Sequence, residues 1–589
     1  MNNYIFPFQL INKNAKIVLY GAGAVGHCFY KQLQATGYAE VVLWVDAQWK
    51  KMREMGMTVN SVADIGKLDT YDYVVIAIEN VRVAGDIKEM LLVDYQVPDH
   101  TIVYSENYRV TALEVKTVFD EKTIGYEKLE QINPVELLSA RRLDLVVRYL
   151  LAKDIKNNIR NDANLSLYTR MILARGNAHE GKDYFSEYSR EGTREYIEAF
   201  KKVCQNMKDL GFDKRKFVPV GDNRVLLNGA HRTAAALALE EKIWVKYYRD
   251  QQGNTDFGIE WFEKNGFNWE DKIRILRGYA DLYKKCGIML LFAPCMEHWD
   301  YLQMQLAKKM TIVGTVELDF SDNYIAFENL FREIYSDPLW RNVYIDRKVD
   351  MLKMAPLKLR VLLLSDEGNE KGDFFEVLCS AKLELRDRMF FDTDIAPVVM
   401  HGSDSEKEFE HLKGVILSVN NLKHLNMRTA RNYSEEFISR LEWLKDTLKQ
   451  KMINQSDICI CGSSGYEIFG LRKADDLDFF VKSVYRKWHG SKTTAWNEYT
   501  HYTRKDSIEV SEENVYLDDL LIEDDNYHYI FNGLKFVNLN IMNEKKKYNG
   551  REKDIRDNRL YELFMDYAMN FENKALLKQQ IENEFYKKR

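Results

Sequence analysis

The amino-acid sequence predicts an α/β protein made of several domains. Short apolar runs typical of strands, such as Lys16–Tyr20 and Ile458–Cys461, alternate with longer stretches of helical periodicity along the whole chain. Its 589 residues exceed the ~250–300 residues that a single hydrophobic core normally serves. At three places a strand runs into a glycine turn and then a helix, which is typical of α/β folds.

The composition indicates a folded protein and excludes several classes of function. Apolar residues make up 46% of the chain and charged residues 30%, and the net charge of −6 gives no broad basic surface, so nucleic acid is an unlikely partner. No window approaches the ~20 apolar residues of a membrane span, and no signal peptide is evident. The seven cysteines lack paired metal-ligand spacings. We therefore expect a cytoplasmic protein with reduced thiols and no membrane span.

The first segment, residues 1–115, places a glycine loop between a strand and a helix. Gly21, Gly23 and Gly26 follow the strand Lys16–Tyr20, and Asp46 ends the next strand. Glycines in this spacing let a backbone approach a pyrophosphate, and an acid at this position can accept a ribose hydroxyl. The segment resembles Rossmann dinucleotide-binding domains, including short ones of polysaccharide-biosynthesis proteins, and so implies a parallel sheet. Bound NAD(P), a nucleotide-sugar and an empty scaffold are all open.

The second segment, residues 116–255, carries a glycine–x–His–Arg turn at a strand-to-helix junction. Gly229, His231 and Arg232 open an alanine-rich helix, where helix N–H groups and a guanidinium favour an anion. A capped helix with His231 and Arg232 exposed explains the same pattern. The run resembles the ParB/sulfiredoxin-like α+β fold, in which this turn binds nucleotide or phosphate. That resemblance implies phosphate contacts from these three residues, with Glu191 and Glu195 as candidate bases.

The third segment, residues 256–430, predicts a further α/β domain of unknown role. Candidate strands cover residues 288–292, 311–318, 359–364 and 397–400. The last strand runs into His401 and Asp404, followed by a capping box from Ser405 to Glu408. A histidine and an aspartate at a helix start favour either a metal or phosphate site or a capped, solvated turn.

The last segment, residues 431–589, carries the pattern with the most chemistry. Asp476 and Asp478 lie two residues apart in an apolar run, so on a strand both carboxylates would project from one face and could hold Mg²⁺. Upstream, Gly462 allows a tight bend after Ile458–Cys461, and Ser463 and Ser464 add hydroxyl donors beside free backbone N–H groups. Taken alone, each element has a plainer explanation: the Gly462–Ser464 run can be a turn, and the Asp476–Asp478 run can be a solvent-facing edge strand.

This combination resembles the signature of the DNA polymerase β-like nucleotidyltransferase superfamily, in forms found in capsule and lipopolysaccharide clusters. The resemblance implies a nucleotidyltransferase α/β fold in which Asp476 and Asp478 bind Mg²⁺ and catalyse, and in which the glycine–serine turn binds phosphate. The family usually has a third carboxylate on a later strand, and Glu509 fits that apolar–acid–apolar pattern.

The leading hypothesis is an enzyme of bacterial surface-polysaccharide synthesis that transfers NMP from an NTP, CTP or ATP, to a phosphorylated sugar or polyol with Mg²⁺. The second and first segments would then add a kinase-like or an oxidoreductase activity. Two alternatives stay open: transfer of a phospho-substituent from a CDP-linked donor to a glycan, and a regulatory protein that senses nucleotides without catalysis. The oligomeric state is open.

Overall fold

The computed structural model describes residues 4–54, 57–104, 126–175, 192–249, 251–321, 323–336, 344–352, 355–367, 372–390, 398–428, 433–488, 493–497, 500–503, 507–509 and 515–569. Contacts divide the chain into two compact units. Unit 1 comprises Met1–Pro134 with Leu151–Asn254, and unit 2 comprises Val135–Leu150 with Thr255–Arg589. Helices and strands are mixed in both units, which confirms the predicted α/β class. The four segment boundaries are a finer division and stay a prediction.

Unit 1 begins with a parallel sheet whose strands lie in the order β2-β1-β3-β4. Its elements are β1 (Lys16–Tyr20), α1 (Ala24–Thr36), β2 (Glu40–Val45), α2 (Trp49–Glu54), β3 (Tyr73–Ile76), α3 (Val81–Val93) and β4 (Ile102–Val103). Alternate residues of β1 enter two different cores, with Ile17 and Leu19 on one face and Val18 and Tyr20 on the other. A strand buried on both faces explains why β1 is apolar throughout.

The rest of unit 1 is built on a three-stranded sheet of order β5-β7-β6. The elements in chain order are β5 (Tyr126–Ile132), α4 (Asp144–Asn157), α5 (Asp162–Ala174), α6 (Gly192–Leu210), β6 (Val218–Gly221), α7 (Ala230–Leu239) and β7 (Ile243–Tyr248). The division between the units falls inside α4, after Leu150. Strand β7 pairs parallel with β6 and antiparallel with β5, so helix α7 forms the crossover between two parallel neighbours.

Unit 2 contains an antiparallel sheet of order β11-β8-β10-β9. The elements of this part are α8 (Ile259–Lys264), α9 (Trp269–Leu282), β8 (Cys286–Phe292), α10 (Trp299–Ala307), β9 (Thr311–Asp319), α11 (Tyr324–Ile334), α12 (Tyr344–Leu352), β10 (Lys358–Ser365), α13 (Phe374–Phe390), β11 (Met400–Gly402), α14 (Glu406–Ile416) and α15 (Val419–Met427). Three of the predicted strands are present as β8, β9 and β10. The strand predicted at 397–400 instead begins at Met400, where pairing with Leu291 starts, and Pro397 lies outside the described residues.

A second, mixed sheet of unit 2 has the order β14-β15-β13-β12-β19-β18. Its segment comprises α16 (Glu435–Gln450), β12 (Ile458–Cys461), α17 (Ser464–Ile468), β13 (Leu477–Val481), β14 (Thr493–Asn497), β15 (Thr500–Thr503), β16 (Ser507–Glu509), β17 (Val515–Leu517), α18 (Asp518–Glu523), β18 (His528–Phe531), β19 (Leu534–Val537), α19 (Leu539–Asn549) and α20 (Glu552–Met569). Strands β12 and β13 are antiparallel neighbours at the centre of the sheet. Both are buried because helices cover the sheet.

Candidate active site

The glycine–serine turn of the last segment lies beside the start of β13. Strand β12 ends at Cys461, which pairs with Asp478 on the antiparallel neighbour. Gly462 then has a φ of 73°, a left-handed conformation that other residues adopt only with strain. The chain turns there into α17. The pairing of the two strands therefore places the turn and Asp478 next to each other.

Gly462 also lets the Asp478 side chain lie close against the turn. A Cβ at this position would lie 3.0 Å from Oδ2 of Asp478, which is closer than most Cβ contacts in proteins, and at an ordinary contact distance of 3.5 Å from the Cβ of Asp478. The glycine therefore serves two needs at once, since the turn requires its backbone conformation and the carboxylate requires its missing side chain.

Asp476 is connected to the same turn by a hydrogen bond. Ser464 Oγ donates to the backbone carbonyl oxygen of Asp476 across 3.1 Å. Asp476 lies directly before β13, which begins one residue later than the sequence pattern suggested. Asp476 and Asp478 are both half-buried, whereas Leu477 and Phe479 between and after them are fully buried. The alternation predicted from the sequence is thus present, with the carboxylates on the more accessible face.

The loop that leads from α17 to Asp476 is anchored by a buried carboxylate and a guanidinium. Glu467 accepts hydrogen bonds from the Ser434 backbone N–H at 3.1 Å, from Ser434 Oγ at 2.7 Å and from the Ala474 backbone N–H at 2.7 Å. Arg440 NH1 donates to the carbonyl oxygens of Ala474 and Asp475, both at 3.0 Å. A buried carboxylate with three donors is well compensated, so the loop is fixed before any ligand binds.

A second buried ionic group holds the same loop from the other side. Arg472 donates through two nitrogens to Asp557, at 2.7 and 3.1 Å, and Lys546 Nζ donates to Asp557 at 2.5 Å. The Lys546 ammonium also lies 5.2 Å from the centre of the Tyr466 ring. The sequence pattern gives no sign of Glu467, Arg440 and this network, because only the fold brings α16, α19 and α20 to the loop.

The donor set at the turn suits Mg²⁺, although two carboxylates are a minimal set. Magnesium binds through one or two carboxylates plus waters and substrate phosphates, and the half-buried Asp476 and Asp478 beside the glycine–serine turn match that description. Within the described ranges, no group of three or more histidine, cysteine, aspartate or glutamate side chains is placed to hold a metal ion. Glu509 lies on β16, which pairs with β17 in a separate two-stranded sheet, and its side chain lies outside the described residues.

The two serines of the turn have different roles. Ser464 is buried and bonded to the Asp476 carbonyl, whereas Ser463 is half-buried and does not cap the helix with its side chain. Helix α17 spans only Ser464–Ile468, so its dipole adds little to anion binding. Phosphate contacts at this turn therefore depend on the Ser463 hydroxyl and on backbone N–H groups.

The glycine–x–His–Arg turn of unit 1 is occupied by contacts within the protein. Gly229 has a φ of 91° and precedes α7. His231 Nε2 lies 2.8 Å from the Tyr168 hydroxyl, and its ring is 4.7 Å from that of Phe200. Arg232 NH1 donates to the carbonyl oxygens of residues 216 and 217, the latter at 2.8 Å. Both side chains hold neighbouring elements together. Of the two candidate bases, Glu195 lies in α6 and Glu191 is outside the described residues.

The N-terminal glycine loop closes tightly around its own backbone. A Cβ at Gly26 would lie 2.0 Å from the Gly21 carbonyl oxygen, whereas a Cβ at Gly23 would meet no atom within 4 Å. Asp46 accepts from the Ala22 backbone N–H and from the Gln48 backbone N–H, each at 2.7 Å. The carboxylate expected to bind ribose therefore holds the loop in place, and Gly23 is the part of the loop with open space before it.

Comparison with known proteins adds no family to these observations. Scans of protein-family models and of curated protein sequences found no match to this chain. The resemblances stated above therefore rest on the motifs themselves. Within the described part of the chain, no helix combines the length and apolar composition needed to cross a membrane.

Proposed function

We propose that the C-terminal segment of unit 2 is a nucleotidyltransferase domain that transfers NMP from an NTP to a phosphorylated sugar or polyol. The observation that carries the proposal is the close contact between Gly462 and a carboxylate. A Cβ added to Gly462 would lie 3.0 Å from Asp478 Oδ2. The same turn is bonded to Asp476 through Ser464. A glycine–serine turn next to the Asp478 carboxylate and bonded to the Asp476 backbone supports the arrangement that the resemblance to the DNA polymerase β-like superfamily implies.

The chain's own residues would position the reactants. Asp476 and Asp478 would hold Mg²⁺, which when bound neutralises phosphate charge and favours in-line attack at the α-phosphate. Ser463 and the backbone N–H groups of the turn would donate to the leaving pyrophosphate. The anchoring of the loop by Glu467 and Arg440 would keep this geometry fixed, since catalysis by positioning depends on small displacements. Glu509 stays the proposed third carboxylate, and the order of steps is left open.

The parallel sheet of unit 1 supports nucleotide binding as a separate property. In the strand order β2-β1-β3-β4, the chain adds β2 on one side of β1 and β3 on the other, so the direction in which strands are added reverses between β1 and β3. Ligands of open α/β sheets bind beyond the carboxyl ends of the strands at such a point. Gly23 lies there with free space around it. A Rossmann-like role with NAD(P) or a nucleotide-sugar is the corresponding proposal. Phosphate binding by a ParB/sulfiredoxin-like domain has less support, because Arg232 already donates to backbone carbonyl oxygens.

The test of transfer is pyrophosphate release by the full chain with CTP or ATP, Mg²⁺ and a panel of sugar phosphates and polyol phosphates. We expect Asp478→Asn and Asp476→Asn to lower the rate by about 10³-fold, the scale of removing a charge-stabilising group. Asp475→Asn is the matched control, because Asp475 is exposed and directly precedes Asp476 in the sequence.

The outcomes separate the three readings. Release of CMP from a CDP-linked donor without pyrophosphate would favour phospho-substituent transfer to a glycan. Nucleotide binding that survives both substitutions, without turnover of any donor, would favour a sensing protein and remove the transfer proposal.

A further inference from the structure

The edge strand β18 of the mixed sheet is bonded along its outer side by side chains from helix α15. Asn420 donates to the His528 carbonyl oxygen at 2.5 Å, and Asn421 accepts from the Ile530 backbone N–H at 2.8 Å. Arg428, directly after α15, donates to the Ile530 carbonyl oxygen at 3.2 Å. Side chains thus take the place of a further strand, since buried N–H and C=O groups at a sheet edge need partners.

Arg428 connects this edge to another helix of unit 2. It forms an ion pair with Glu333 of α11 at 3.1 Å, and both side chains are almost fully buried. Its guanidinium carbon lies 5.1 Å from the centre of the Phe531 ring. Loss of one partner of a buried ion pair leaves an uncompensated charge, so the arginine is held in one place. The edge of β18 is therefore held by residues of the segment 256–430.

Tyr529 lies between the two residues of β18 that α15 holds. Its ring stacks on the ring of His424, also on α15, with the centres 4.4 Å apart and the planes 9° from parallel. His424 Nδ1 lies 2.8 Å from the Asn420 carbonyl oxygen. Burial lowers the pKa of His424 to about 4, so the stacked ring is neutral at pH 7. Helix α15 therefore determines the position of Tyr529 through its backbone and through its ring.

The hydroxyl end of Tyr529 reaches the helix that follows the glycine–serine turn. A Cβ added to Gly465 of α17 would lie 3.0 Å from the Tyr529 hydroxyl oxygen and 3.2 Å from Leu539 Cδ2. That oxygen is buried without a hydrogen-bond partner among the described residues. The ring of Phe469, directly after α17, lies 5.7 Å from the Tyr529 ring and 6.1 Å from the His424 ring. The contact is therefore one of close packing, which glycine permits and a larger residue would disturb.

We propose that Tyr529 is a positioning residue for the glycine–serine turn and that α15 holds it there. The turn continues directly into α17, and Ser464 of α17 donates to the Asp476 carbonyl oxygen. A displacement of α17 therefore moves both the turn and the backbone of a proposed metal ligand. The segment 256–430 gains a role in this way, since it supplies α15. The effect on catalysis rests on the proposed transfer function, whereas the coupling of α15 to the turn does not.

A double-variant cycle at Gly465 and Tyr529 tests the contact. Gly465→Ala places a methyl group against the Tyr529 hydroxyl, and we expect kcat for pyrophosphate release to fall about tenfold or more, because small displacements of reacting groups are costly. Tyr529→Phe removes that hydroxyl without breaking a described hydrogen bond and should keep kcat close to that of the wild type. The double variant should recover most of the lost rate, since the methyl group then occupies the vacated space.

Gly278→Ala is the matched control for overpacking. Gly278 lies in α9 of the same unit, and a Cβ there would lie 2.7 Å from Val146 Cγ1. Both glycine variants should lower the thermal midpoint, because an extra methyl group strains a packed core, and only Gly465→Ala should lower kcat at saturating NTP. Equal losses of kcat in both, or a double variant no faster than Gly465→Ala, would overturn the proposal.

Hydrogen exchange tests the role of α15 without any need for transfer activity. Asn421→Ala removes the acceptor of the Ile530 N–H, and we expect the backbone amides of Ser464–Ile468 to exchange at least about tenfold faster, because local opening becomes easier. Asn426→Ala removes an exposed asparagine from the same helix and should leave the exchange of those amides unchanged. Strand β10 is the reference for global unfolding within the unit.

These two measurements separate failure of this proposal from failure of the transfer proposal. Faster exchange at Ser464–Ile468 in Asn421→Ala, in a protein that releases no pyrophosphate, would support the coupling and remove the transfer proposal. Unchanged exchange there, or exchange that rises equally in β10, would overturn the role of α15 whatever the activity. If Asn421→Ala folds poorly, His424→Leu removes the stacked ring but no hydrogen bond to β18, and it should give the same local pattern.

Discussion

Two strands of this protein, one near each end of the chain, run into a glycine turn with an aspartate close by, and the two turns differ in what the aspartate does. At the N-terminal loop, Asp46 accepts hydrogen bonds from the backbone of Ala22 and Gln48. The space that a side chain of Gly26 would need is filled by the backbone of the loop itself. At the C-terminal turn, the missing side chain of Gly462 lets the Asp478 carboxylate lie close against the turn. The first arrangement stabilises a loop, and the second supports a ligand site.

The comparison shows that a glycine motif alone does not decide function. Both glycines allow close packing, against backbone in one place and against a charged side chain in the other. What differs is the atom that a Cβ would meet: a backbone oxygen at Gly26 and a carboxylate oxygen at Gly462. We therefore expect substitutions at these glycines to affect different properties, stability in unit 1 and the proposed transfer activity in unit 2.

Among the substitutions that test this comparison, the largest effect is expected from Gly26→Ala. A Cβ there would lie 2.0 Å from the Gly21 carbonyl oxygen, so backbone has to move, and we expect a loss of about 3 kcal/mol in the free energy of unfolding of unit 1. Gly23→Ala is the control, since a Cβ at Gly23 meets no atom within 4 Å. Urea unfolding of both variants checks this. Equal stability of the two would mean that the loop is not closed as described.

A smaller effect, on activity, is expected from Gly462→Ala. The new methyl group would press on Asp478, and we expect the transfer rate to fall about tenfold or more, because small displacements of reacting groups are costly. Gly533→Ala is the matched control, because Gly533 has a φ of 72° against 73° for Gly462 and lies in the turn between β18 and β19. Both variants should lose similar stability through backbone strain, and only Gly462→Ala should lose activity beyond that. Similar rates in the two would contradict a role of the close contact between Gly462 and Asp478.

The sequence predicts these turns well because they are local. A strand, a glycine with free φ and a helix follow one another within a dozen residues, so periodicity and residue type suffice. The parallel sheet of unit 1 and the apolar and acidic alternation at Asp476–Asp478 follow from the same local signals.

Long-range relations could not be predicted in this way. Nothing near Glu467 in the sequence shows that its carboxylate binds Ser434 and Ala474, and nothing near Asp46 shows that its oxygens accept from Ala22 and Gln48. In each case the partner is selected by tertiary packing, which periodicity does not encode.

The smallest effect tests the charge of Asp46 through its neighbour Tyr20. Burial, followed by the charge of Asp46, raises the pKa of Tyr20 to about 12 from its ordinary value of 10. A raised pKa means that the stability of unit 1 is fully present below pH 10 and is lost as the pH rises toward 12, because the unfolded chain releases the proton first. Tyr20→Phe should make the decline of stability between pH 10 and 12 shallower, and Asp46→Asn should move it only slightly, since burial is the larger cause.

Tyr73→Phe on the neighbouring strand β3 is the control for removing a hydroxyl. If Asp46→Asn changes the decline of stability as much as Tyr20→Phe does, the Asp46 carboxylate acts strongly on Tyr20 and is not neutralised by its hydrogen bonds to the loop. The contrast between this loop and the turn at Gly462 would then be weaker.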